Sequence, residues 1–154
     1  MTIRNLDSLF RPRSVALIGA SSRPGSIGAV LARNVLRGGF DGPILPVNPK
    51  HRCLQGVWTY PDVAGLPATP DLAVIATPPQ TVPGIVAELG ARGTRAAVVI
   101  TAGFAEASGG DGHALQLAML EAARPYNLRI VGPNCLGILV PGIGLNASFA
   151  HLSP

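Results

Sequence analysis

Charge and aromatic rings are both scarce in this 154-residue chain: 13% of its residues are Asp, Glu, Lys or Arg, and only 5% are aromatic. So little charge beside 47% apolar residues excludes an intrinsically disordered chain, which needs the opposite balance. Aromatic rings to stack on bases are scarce, and the twelve cations, eleven of them arginine, form no run. The net charge of +4 therefore does not read as a nucleic-acid surface. A modest positive field suits a small, multiply phosphorylated ligand instead. The two cysteines, Cys53 and Cys135, are too few and too irregularly spaced for a disulfide framework; they fit a reducing compartment, and a cytoplasmic location is expected. No apolar run approaches the roughly 18 residues that cross a bilayer. The N-terminus lacks the apolar centre of a signal peptide, so no membrane partner is expected. A metal is not expected either, because His51 and Cys53 fall short of the three or four ligands of a zinc site.

Glycine (19) and proline (15) are abundant, and they stand as punctuation between apolar runs. Those runs predict strands at 14–20, 43–48, 71–77, 96–101 and 128–132. Between them lie helical patterns: "SIGAVLARNVLRGG", "TVPGIVAELGARG" and "DGHALQLAMLEAARPYN". "TYPDVAGLP" reads as a short turn or helix with Asp62 near its start. Short unbroken Val/Ile/Leu strands separated by helices predict an α/β fold, a Rossmann-like doubly wound parallel sheet of about five strands with helices on both faces. The whole of 1–154 is expected to be a single domain, cut from a longer multidomain polypeptide. In such a fold the ligand sits beyond the carboxyl ends of the strands. The segments found there are "GASSRPGSIG", "NPKHRC", "TPPQ", "TAGFAE" and "GPNCLG".

The first of these, 19–28, is a nucleotide-type turn with serines where a dinucleotide fingerprint has glycine. Gly19 suits the tight turn, Gly28 close packing of the following helix, and Ser21, Ser22 and Gly25 offer amides and hydroxyls to a phosphate. In the second loop an NAD enzyme places an acid; here stand Asn48, Pro49 and Lys50. Asn48 suits a ribose hydroxyl. Lys50, the single lysine, suits a phosphate on the ribose, which NADP and coenzyme A both carry. No hydride-transfer apparatus accompanies it, and no His–acid pair is evident. Cys135, Ser21 and Ser22 have no activating base, so no catalytic residue is expected.

Taken together, "GASSRPGSIG", "PVNPKH", "TPP", "ITAGFAE" and "GPNCLG" resemble the N-terminal CoA-binding domain of the NDP-forming acyl-CoA synthetases. That family includes the α subunit of succinyl-CoA synthetase and the ADP-forming acetate–CoA ligases. "LDSLFRPRSVALIGAS" and "GLNASFAHLSP" lean toward the synthetase-like half of bacterial GNAT protein lysine acetyltransferases. The resemblance implies a CoA or acyl-CoA ligand and other domains of the same parent chain as partners. It implies that Ser21, Ser22, Arg23 and Pro24 lie under the CoA phosphates and ribose, and that Lys50 meets the nucleotide. Thr77, Pro78 and Pro79 would line adenine or pantetheine, and Ile100, Thr101, Ala102 and Gly103 would follow the pantetheine arm. Ala102 stands where succinyl-CoA synthetases have an acid. Pro133 and Asn134 would lie toward the reactive end. An NADP-binding oxidoreductase domain and an interaction module with a vestigial pocket are the alternatives. The apolar "GILVPGIGLNASF" is expected to leave exposed surface and some self-association.

Overall fold

The computed structural model describes residues 3–104 and 111–151. The elements begin with α1 (Leu6–Phe10), β1 (Val15–Ile18), α2 (Ile27–Arg37), β2 (Ile44–Val47), β3 (Cys53–Leu54) and β4 (Val57–Trp58). They continue with β5 (Leu72–Ile75), α3 (Val82–Arg92), β6 (Ala96–Val99), α4 (Asp111–Ala123), β7 (Arg129–Val131), β8 (Gly137–Val140) and β9 (Leu145–Ser148). Five parallel strands form one sheet in the order β2-β1-β5-β6-β7.

Every residue of β1, β5 and β6 is buried, because both faces of the sheet are covered. That is why these strands read as unbroken apolar runs. Side chains alternate between two cores. Val15, Leu17, Leu72, Val74, Ala96 and Val98 face a layer containing α2, α1 and the β8–β9 hairpin. Ala16, Ile18, Ala73, Ile75, Ala97 and Val99 face α3 and α4. Leu31 and Val35 of α2, at 1% and 0% exposure, each contribute roughly 1.5–3 kcal/mol through burial. Ser26 starts α2, its Oγ accepting from the N–H of Ala29 at 3.2 Å, and Arg37, Gly38 and Gly39 end it. The α/β doubly wound architecture expected from the sequence is the one observed.

Two connections hold a hairpin that the sequence did not indicate, and of the two readings of "TYPDVAGLP" the turn is the one observed. Between β2 and β5 no helix crosses over; the β3–β4 hairpin and an irregular segment do so instead. "TYPDVAGLP" is a turn, in which Asp62 Oδ1 accepts from the N–H of Gly65 at 2.7 Å while Val63 and Leu66 point into the core. Arg92, at the end of α3, fastens this segment by donating to the carbonyls of Ala64 (3.1 Å) and Leu66 (2.8 Å). The C-terminal apolar stretch folds back as the antiparallel β8–β9 hairpin against α2, burying Leu145 and Ala147. Much of the apolar surface expected there is thus covered within the domain; Leu136 (51%) and Leu139 (40%) remain exposed. Among the described residues no helix is long and apolar enough to cross a membrane.

Candidate functional site

Strand β1 is flanked by β2 on one side and β5 on the other, so the chain reverses its direction of travel across the sheet at β1. A crevice opens at such a switch point, beyond the carboxyl ends. Here it is an open cleft of about 1180 Å³ that runs from the loop after β1, past the loop after β2, to the ends of β5 and β6.

The loop after β1 is shaped by its glycines. Gly19 has φ +91°, and a Cβ there would lie 2.6 Å from the carbonyl oxygen of Ala76. Gly28 sits so close that a Cβ would come 2.2 Å from the Gly19 oxygen. These contacts draw the start of α2 onto the end of β1, which leaves the first-turn amides at the cleft and the positive end of the helix dipole with them. The Oγ of Ser21 accepts from the N–H of Arg23 at 3.0 Å, and the Ser26 hydroxyl donates to the Arg23 carbonyl at 2.8 Å. Serine hydroxyls therefore stabilise the turn itself and are not all directed at a ligand.

Asn48 joins the first two loops. Its Nδ2 donates to the Ala20 carbonyl at 2.7 Å, and its Oδ1 accepts from the N–H of Lys50 at 2.8 Å. The side chain that the sequence assigns to a ribose is thus engaged in fixing the loop that carries Lys50. Lys50 lines the cleft and is exposed. The ion pairs among the described residues are Arg13–Asp71 and Arg124–Glu121, so the Lys50 ammonium has no carboxylate partner there.

The far wall is a hydroxyl chain. Thr101 Oγ1 donates to the Thr77 carbonyl at 2.8 Å, and the Thr81 hydroxyl lies 2.8 Å from that of Thr77 and 2.7 Å from the Pro78 carbonyl. The N–H of Asn134 donates to the Thr101 carbonyl at 3.0 Å, which ties the loop after β7 to the end of β6. Cys135 lies behind it, with Sγ 3.4 Å from the Val99 carbonyl. Burial pushes its thiol pKa up, partly offset by the backbone N–H groups of Gly137 and Cys135. Among the described residues no three His, Cys, Asp or Glu side chains converge on a metal position.

Of the residues singled out in the sequence, Gly19, Ser21, Arg23, Gly25 and Gly28 line the cleft from the first loop. Asn48, Pro49 and Lys50 do so from the second, and Thr77, Pro78, Ile100, Thr101 and Ala102 from the far wall. Ser22 and Pro24 are exposed on the loop and stand outside that lining. Pro79 opens a short 3-10 turn, and Gly103 lies against its ring, also outside. Asn134 acts on the cleft only through its backbone bond to Thr101. Ala105 and Glu106, the end of the fourth loop, lie outside the described residues. His51 and Asp62, which the sequence marked only as an insufficient metal ligand and a turn residue, also line the cleft, as do Thr81, Ile85 and Glu88, which it did not mark. Thr81 and Ile85 were visible as the first turn of α3, the helix whose N-terminus follows a β-strand as that of α2 does.

The sequence pattern of the CoA-binding domain family matches residues 13–141. An ADP-forming acetate–CoA ligase of Archaeoglobus fulgidus is 41% identical over 149 residues, covering 97% of this chain and 21% of its own length. A trans-feruloyl-CoA synthase from an unknown prokaryotic organism is 46% identical over 134 residues, covering 87% of this chain and 19% of its own length. Among solved structures, a dinucleotide-forming acetyl-coenzyme A synthetase of Candidatus Korarchaeum cryptofilum, in complex with phosphate and ADP, superposes with a TM-score of 0.86. It is 39% identical, and the match covers 94% of this chain and 30% of that one. The chain thus spans a fifth to a third of the length of these relatives. With its parallel sheet, glycine–serine turn and switch-point cleft, it belongs to the CoA-binding domain family.

Proposed function

We propose that the domain binds coenzyme A or an acyl-CoA along the carboxyl edge of its sheet and serves as the CoA-holding part of an ADP-forming acyl-CoA ligase. The observation that carries this is the family match over 13–141 together with the single cleft onto which the first and second loops both open. Its volume, about 1180 Å³, suits a long ligand, since ordinary small-molecule sites span about 300–1,000 Å³. The amides at the start of α2, with Ser21 and Arg23, would receive the pyrophosphate. Lys50 would meet the 3′-phosphate as an unpaired cation. Thr77, Pro78 and the Ile100–Ala102 edge would lie along the pantetheine arm.

The domain's share of the reaction is positioning: it holds the thiol where an acyl group is delivered by the rest of the enzyme. The ligase and synthase names of the relatives above favour that parent over a lysine acetyltransferase. The test is a calorimetric titration with CoA, dephospho-CoA, NADP and NAD at fixed ionic strength. A charge-assisted contact to the 3′-phosphate is worth ~1.5–3 kcal/mol, so dephospho-CoA should bind roughly tenfold or more weakly than CoA. Binding of NADP without CoA would overturn the proposal in favour of an oxidoreductase domain.

A further inference from the structure

A second recess of about 510 Å³ opens away from the cleft, between the C-terminal half of α2 and the β8–β9 hairpin. Its ionisable lining is of one kind: Arg33, Arg37 and His151, with no Asp or Glu. The two arginines stand four residues apart on α2, a spacing at which like charges repel. Neither is in an ion pair among the described residues. The floor is backbone: a Cβ on Gly38 would come 2.6 Å from the Gly144 oxygen. Asn34 Nδ2 donates to the carbonyls of Ser148 and Ala150, both at 2.9 Å, which pins the segment leading to His151. The recess is therefore built, and among the described residues no carboxylate offsets its positive charge.

We propose that this recess is a second binding site, for a small phosphate-class anion carrying two or more charges. Guanidinium forks one helical turn apart can each engage two oxygens of such a group. The volume lies within the range of small-molecule sites. The C-terminal end of a helix repels anions, so here the side-chain cations must outweigh the dipole. From Ile27 to Arg37 the helix rises roughly 15 Å, so one phosphate group cannot bridge this recess and the cleft.

The probe is inorganic pyrophosphate, titrated into the 154-residue chain at fixed ionic strength and followed by amide chemical shifts. Saturable binding should move the amides of Gly38 and Gly144, persist in Lys50→Ala, and weaken about tenfold or more in Arg33→Gln/Arg37→Gln. Arg33→Lys/Arg37→Lys keeps the charge without the fork and should show a smaller loss, with thermal melts confirming that each variant folds. Unchanged affinity in the Gln variant would overturn the proposal, as would shifts confined to Gly19–Gly28. So would the absence of saturation at millimolar pyrophosphate, or binding of only an acidic peptide.

Discussion

The two ends of α2 are each proposed to receive an anion, and their positive character has different physical origins. At Ile27 it comes from backbone: a capped first turn, amides at the cleft and two glycines that bring helix and strand into contact. At Arg37 it comes from side chains standing over a backbone floor. A site made of amides is set by where the chain can go, and a site made of arginines is set by what the chain carries. The first should therefore be sensitive to an added methyl group and the second to a removed charge.

Gly28→Ala should have the largest effect on the fold. Its Cβ would fall 2.2 Å from the Gly19 oxygen and 3.2 Å from the Cβ of Ser21, and the atom it meets first is backbone, which cannot swing aside. A loss of about 2–3 kcal/mol is expected, or roughly 4–12 °C in Tm, together with lost CoA affinity. An unchanged calorimetric Tm would break the comparison. Lys50→Ala should leave Tm alone and weaken CoA by roughly tenfold or more while dephospho-CoA binds as before. Ser26→Ala removes the bond to the Ala29 N–H and should lower stability by about 1 kcal/mol, seen as a Tm shift of roughly 2–4 °C. Arg37→Gln, at the other end, should change stability by less than about 0.5 kcal/mol by denaturant titration, since a surface charge carries little of the fold. Outside both ends, Cys53 is exposed and should alkylate faster than Cys135 at pH 8. Burial raises the Cys135 pKa and so reduces its thiolate, and mass spectrometry should show its labelling increase as pH rises.

The core strands were legible because burial on both faces leaves a continuous apolar record, as in Val15–Ile18 and Leu72–Ile75. The β3–β4 hairpin was not, since strands of two residues are too short to show a period. In "GILVPGIGLNASF" the apolar residues signalled exposed surface, whereas the antiparallel pairing of Gly137–Val140 with Leu145–Ser148 turns one side onto α2. The pairing depends on a tertiary neighbour that no local pattern records. At the cleft, residue types were legible but side-chain engagement was not. Asn48 reads equally well as a ligand contact or a loop brace until its two hydrogen bonds are seen.

That brace has a further consequence. Because one amide side chain holds both the Ala20 carbonyl and the Lys50 N–H, the phosphate turn and the lysine are mounted on a common frame. On the proposed reading, the gap between their backbones would work as a gauge, with only the reach of the lysine side chain to adjust it. A ligand whose two phosphate groups are spaced differently would be refused for its length, even though each group by itself finds a welcoming contact.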